Sequence, residues 1–131
     1  MSQFRSAMAM ARNHGAAGRG TGEFIVERFT ALGLILLGLV LGVQLLLLSS
    51  GGITLPEARA WVAAPFTAAA LVLFVLLAAL HAFVCSKVLL EDYVHIAGIK
   101  VLLVFLLAAL TSAIAVVGTV SILRCLFLLA G

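Results

Sequence analysis

"PFTAAALVLFVLLAALHAFVCSKVLLEDYVH", residues 65–95, holds no Asp, Glu, Lys or Arg before Lys87 and then closes on Glu91, Asp92 and Tyr93. Crossing the hydrocarbon of a bilayer takes about 20 apolar residues at about 1.5 Å of rise each. This stretch is long enough, and it lacks the alternation of a barrel strand. Backbone groups in lipid must pair internally, so a helix is the expected solution. One ionisable group, His81, interrupts the apolar run well inside it.

Two further runs flank the first. Residues 30–48 read "TALGLILLGLVLGVQLLLL" and residues 99–123 read "IKVLLVFLLAALTSAIAVVGTVSIL". The central span itself covers residues 65–90. Composition agrees: 65% of the 131 residues are hydrophobic and only 10% are charged, against about 25% charged in soluble domains. The reading is an all-α integral membrane protein with three transmembrane helices. Residues 1–29 form an N-terminal tail and residues 30–131 a three-helix membrane domain. The segment "SSGGITLPEARAW" carries Gly51, Gly52 and Pro56 and reads as a loop. Pro65 stands where a helix start tolerates proline. Gly33, Gly38 and Gly42 suggest close packing between helices.

Charge sets an orientation. Arg5, Arg12, Arg19, Arg28, Lys87 and Lys100 fall on one side, and Arg59 and Arg124 on the other. Positive residues favour the cytoplasmic face. The N-terminus and the 91–98 connection are therefore expected inside, and the 49–64 connection and the C-terminus on the periplasmic side. Trp61 suits an interfacial anchor near the outer surface. The tail is basic and free of acids up to Glu23, a superficial likeness to an organellar transit peptide. A cytoplasmic tail is the simpler reading, and a bacterial inner membrane is expected rather than a mitochondrial one. A net charge of +3 with scattered basic residues gives no nucleic-acid signal. Cys85 and Cys125 sit in apolar stretches without a CxxC motif, so they read as small buried hydrophobes.

An imidazole inside lipid defaults to a functional hypothesis. A neutral His81 is a competent haem ligand or proton relay. The bland alternative is a histidine bonded to a neighbouring helix. His95 lies fourteen residues on, roughly 21 Å along a helix, and His14 is in the tail. A second haem ligand would therefore come from another polypeptide. Asp92 follows His81 by eleven residues, which on an unbroken helix returns within about 20° and places it about 16 Å nearer the cytoplasm. Asp92 with Tyr93 is read either as a proton-accepting site or as a solvated helix end with an interfacial aromatic. Arg28 is placed to hold Asp92, a haem propionate or a quinone carbonyl, with plain positive-inside anchoring as its alternative. Lys87 is expected to snorkel, and Gln44, Thr111 and Ser112 to tie helices together.

Taken together, these residues resemble the smaller of the two hydrophobic membrane anchors of succinate dehydrogenase (succinate:quinone oxidoreductase, respiratory complex II). The likeness rests on Gly20-Thr21-Gly22-Glu23-Phe24 leading to Arg28-Phe29-Thr30-Ala31, on His81 in the second span, and on Asp92-Tyr93 eleven and twelve residues later. It covers the chain from about Gly20. The resemblance implies that His81 is an axial ligand of haem b, shared with the second membrane-anchor subunit. It implies that Tyr93 binds ubiquinone, that Asp92 delivers protons, and that Arg28 lies near the haem propionates. It also implies a flavoprotein subunit and an iron–sulfur subunit as partners, in electron transport and the tricarboxylic acid cycle. With no flavin site or cysteine cluster, this chain contributes to catalysis only within that assembly. The rival class is a non-redox membrane protein, a transporter component or assembly subunit, with His81 structural. All five acids lie outside the spans or at their ends, which counts against a proton-coupled transporter.

Overall fold

The computed structural model describes residues 20–130. The tail up to residue 19, with His14, Arg5, Arg12 and Arg19, lies outside the described residues. Among the described residues there are four helices in order: α1 Gly20–Ser49, α2 Leu55–Ala63, α3 Pro65–Tyr93 and α4 Ala97–Ala130. Three of them, α1, α3 and α4, are long and apolar enough to cross a membrane, and no strand occurs among the described residues. The all-α, three-span reading stands.

The long helices overrun the apolar runs that mark them. α1 starts at Gly20, ahead of the run at residue 30, and α3 continues through Tyr93. At about 1.5 Å per residue, 30 residues of α1 reach roughly 45 Å, more than the roughly 30 Å hydrocarbon thickness. The polar first turns of α1, with Glu23, Glu27 and Arg28, therefore have room to stand clear of the lipid.

The first connection differs from the expected plain loop, because it contains α2. α1 ends at Ser49, and Gly52 in the connection adopts φ 81°, a left-handed conformation open to glycine. Thr54 then caps α2 with extended backbone. Its amide and its hydroxyl both donate to Glu57 Oε2, at 2.8 and 2.7 Å. Pro56 occupies the first turn, where its missing N–H costs nothing. A Thr-x-x-Glu pattern of this kind starts a helix. Ala64, held extended by the proline that follows, separates α2 from α3. The second connection is short: Val94 closes α3 with its N–H on Leu90 O at 3.0 Å, and α4 begins at Ala97.

α3 is the middle element. It packs against α1 on one flank and α4 on the other, while α2 leans on α4 and α3. Two close approaches define this row. A side chain at Gly33 would meet Leu77 Cδ1 at 3.0 Å, and one at Gly118 would meet Val75 Cγ1 at 2.9 Å. Gly38 faces Phe74, whereas a Cβ at Gly42 would meet nothing within 4 Å. Few side chains are buried: Leu41, Ala68 and Val84 among the apolar ones, Thr30 and Thr67 among the polar. Large residues such as Leu39, Leu46 and Phe105 are two-thirds or more exposed. An apolar surface of that extent needs lipid or partner helices around it.

Candidate functional site

The site forms where α1 crosses α3. Thr30 sits on α1 at 4% exposure, and its hydroxyl lies 2.8 Å from Val26 O and 3.0 Å from Glu27 O. The same oxygen is 2.9 Å from His81 Nδ1. His81 is half-buried, and its other nitrogen, Nε2, lies 3.5 Å from Cys85 Sγ, one helical turn on. Close approach at Gly33, one turn beyond Thr30, brings the two helices near enough for this contact. Both ring nitrogens are thus accounted for, one by a strong partner and one by a weakly interacting sulfur.

Below His81 the charged groups gather. Lys87 forms ion pairs with Glu23 of α1 and with Glu91, the latter at 3.6 Å. Lys87 is therefore more than a snorkelling anchor, because it ties the first turns of α1 to the end of α3. Lys100 Nζ donates to Glu91 O at 2.9 Å across the short connection. Arg28 takes a different course from an ion pair with Asp92. Its guanidinium lies over the Phe24 ring, 5.1 Å from the centroid, within cation–π range. No ion pair joins Arg28 to Asp92 among the described residues.

α3 runs unbroken from Pro65 to Tyr93, so His81 and Asp92 do share a stripe. Asp92 and Tyr93 occupy the last turn of that helix, and Tyr93 is 78% exposed. Asp92 is exposed beside it, as is His95 in the connection that follows. Among the described residues, no group of three or more His, Cys, Asp or Glu is arranged to hold a metal ion. The apolar groove between α3 and α4 lined by Leu80, Phe83, Thr111 and Ser112 does not include His81.

Sequence reasoning finds His81, Asp92, Tyr93 and Arg28, and it misses Thr30 as a neighbour of the imidazole. Cys85 is legible from its four-residue spacing. Thr30, 51 positions away, is not. Gln44 does tie helices, accepting from Trp61 Nε1 at 3.2 Å and from Thr67 Oγ1 at 3.5 Å. Thr111 bonds back to its own helix, at Leu107 O and Ala108 O.

A three-span helical protein, apolar on its outer faces and carrying one oriented imidazole within the spans, is a membrane subunit built to work beside other chains. Over residues 3–122 it matches the family model described as succinate dehydrogenase/fumarate reductase transmembrane subunit, and the chain belongs to that family. No curated protein and no solved structure matches it. Family membership makes the chain a membrane-embedded subunit of an oxidoreductase complex, associated with the other subunits of that complex.

Proposed function

We propose that the chain is the smaller of two membrane anchors in a succinate:quinone oxidoreductase, supplying one axial ligand of haem b and part of a ubiquinone site. The observation that carries this reading is the state of His81. Its Nδ1 is held by Thr30, and its Nε2 faces only the weak partner Cys85. A histidine serving structure alone gains most by pairing both nitrogens well. A metal-ligating histidine characteristically bonds through one nitrogen and orients itself through the other. The residues present therefore fit a haem, which would supply one-electron redox chemistry when bound. His81 would hold the group from this chain, and a second ligand would come from the other membrane anchor.

The remaining roles follow the stripe down α3. Tyr93, exposed at the helix end, donates its hydroxyl to a carbonyl oxygen of ubiquinone. Asp92 beside it hands on protons from the cytoplasmic side. The oxygen that accepts charge is thereby met by a donor already in place. Arg28, at the same end of the chain's helices, is available to a propionate once it leaves Phe24. Flavoprotein and iron–sulfur subunits deliver the electrons and dock at the face that carries the N-terminus and the α3–α4 connection. That face is cytoplasmic in a bacterial inner membrane, and the C-terminus is periplasmic.

The test is a dithionite-reduced minus oxidised spectrum of the purified complex, with its co-purified chains identified, for wild type and His81→Ala. A b-type band lost or altered in the variant is the expected result. In that variant Thr30 keeps its bond to Val26 O, so the helix pair is not left with an orphaned hydroxyl. A wild-type complex that couples succinate to quinone without a b-type band removes the haem from this reading. The second reading, a structural His81, draws on the same Thr30 contact and predicts a wild-type complex with no haem band at all.

A further inference from the structure

We infer that Thr30 is a positioning residue that fixes the tautomer of His81, placing the unprotonated lone pair on Nε2, where only the weak partner Cys85 competes with a metal. The inference rests on the haem reading above, and it follows from counting protons. A threonine hydroxyl has one hydrogen and two lone pairs. Thr30 Oγ1 lies 2.8 Å from Val26 O and 3.0 Å from Glu27 O, both acceptors only. Its hydrogen must go to one of them, since otherwise oxygen lone pairs would oppose one another at hydrogen-bonding distance. Towards His81 Nδ1, at 2.9 Å, Thr30 can then only accept. The proton of the neutral imidazole is therefore on Nδ1.

The opposite arrangement fails at both ends. With the proton on Nε2, the ring N–H would face Cys85 Sγ, a weak acceptor, at 3.5 Å. Thr30 would have to turn its hydrogen to Nδ1 and abandon both carbonyls. With the proton on Nδ1, Val26 O and Thr30 Oγ1 are satisfied, and the Nε2 lone pair faces only the Cys85 thiol, a weak donor that a metal displaces. Thr30 is nearly fully buried, so water does not compete for this hydrogen bond.

Two effects on the ligand result. The ring is held at a fixed angle, and donation from Nδ1–H raises the basicity of Nε2. A more basic ligand favours the oxidised metal and so lowers the midpoint potential. Outer-shell partners of this kind typically contribute about 10–100-fold in metal affinity.

The experiment compares wild type, Thr30→Val, Thr30→Ser and His81→Ala as purified complexes. It reads haem content, midpoint potential and the paramagnetic resonance of the oxidised haem. Thr30→Val keeps the shape and removes the hydroxyl. It is expected to raise the potential, shift the resonance and weaken haem retention about 10–100-fold. Thr30→Ser restores the hydroxyl and is expected to restore all three. A Thr30→Val complex with wild-type potential and resonance overturns the inference while leaving the haem reading intact. Equal changes in Thr30→Val and Thr30→Ser also overturn it, since the methyl group would then be what matters. A wild-type complex without haem overturns the reading and the inference together. Should Thr30→Val fail to assemble, Thr30→Ser against Thr30→Ala isolates the same hydroxyl, and equal potentials in that pair overturn the inference.

Discussion

Gly33 controls the distance between α1 and α3, and replacing it tests the geometry of the whole site. A Cβ at this position already stands 3.0 Å from Leu77 Cδ1. For Gly33→Ala the neighbour is the far end of a flexible leucine, which moves a few tenths of an ångström. A small effect is expected. Gly33→Val adds two more carbons on a branched Cβ whose rotamer in a helix is nearly fixed. One bond length beyond Cβ is roughly 1.5 Å, so Leu77 can no longer absorb the insertion and the helices must part. Overpacking of this kind costs about 1–3 kcal/mol. Parting them lengthens the 2.9 Å Thr30–His81 bond, and a bond stretched to about 3.6 Å no longer counts as one. The assay is thermal stability of the purified complex, read beside the haem spectrum. Gly33→Val is expected to lower stability and to produce the spectral change of Thr30→Val. Gly42→Ala, in open space on the same helix, is the control and is expected to be silent. Pairing Gly33→Val with Leu77→Ala should recover part of the loss, with a coupling of about 0.5–3 kcal/mol. Wild-type stability and spectrum in Gly33→Val would refute the reasoning.

Two further predictions concern the two ends of the chain's helices. Tyr93→Phe keeps the exposed ring and removes the hydroxyl; quinone reduction in the complex should fall or its KM rise, while the haem spectrum stays unchanged, and a wild-type rate would remove Tyr93 from the quinone site. At the other face, Glu57 accepts from the Thr54 hydroxyl and then the Thr54 amide, which holds its carboxyl below the free value of 4.5. A folded-state value below the unfolded one means that the cap contributes fully above pH 4.5 and is lost as pH falls through the lowered value. Amide exchange at Thr54 should accelerate there in wild type and show no such step in Glu57→Gln, and a step that survives the substitution would assign it to another group.

What the sequence discloses follows from what lipid demands. Long apolar runs in α1, α3 and α4 are legible because the bilayer selects for length and composition residue by residue. The ends of those helices are not, because lipid makes no demand there. Residues 20–29 look like tail by composition and are helical, with Glu23 paired to Lys87 of α3. The Thr54-to-Glu57 pattern marks the start of α2, yet two glycines and a proline mask it. His81 stands out as one imidazole among aliphatic residues, whereas its partner Thr30 looks like any hydroxyl in a span. Only the packing of two helices selects that pair. Gly33 and Gly38 make the close contacts that their spacing suggests, and Gly42 makes none within this chain. Gly118 makes one that no spacing announces. Arg28 and Asp92, opposite charges in one layer, invite a pairing that the Phe24 ring takes instead.

Helix order along the chain carries a consequence for how the subunit is made. Thr30, His81 and Cys85 all lie on α1 and α3, and so do Gly33 and Leu77, which set their spacing. Among the described residues, α4 supplies none of the hydrogen bonds to the imidazole. Because the chain emerges N-terminus first, the two helices that orient His81 leave the ribosome ahead of α4. α4 packs on the other flank of α3 and braces the helix that carries His81.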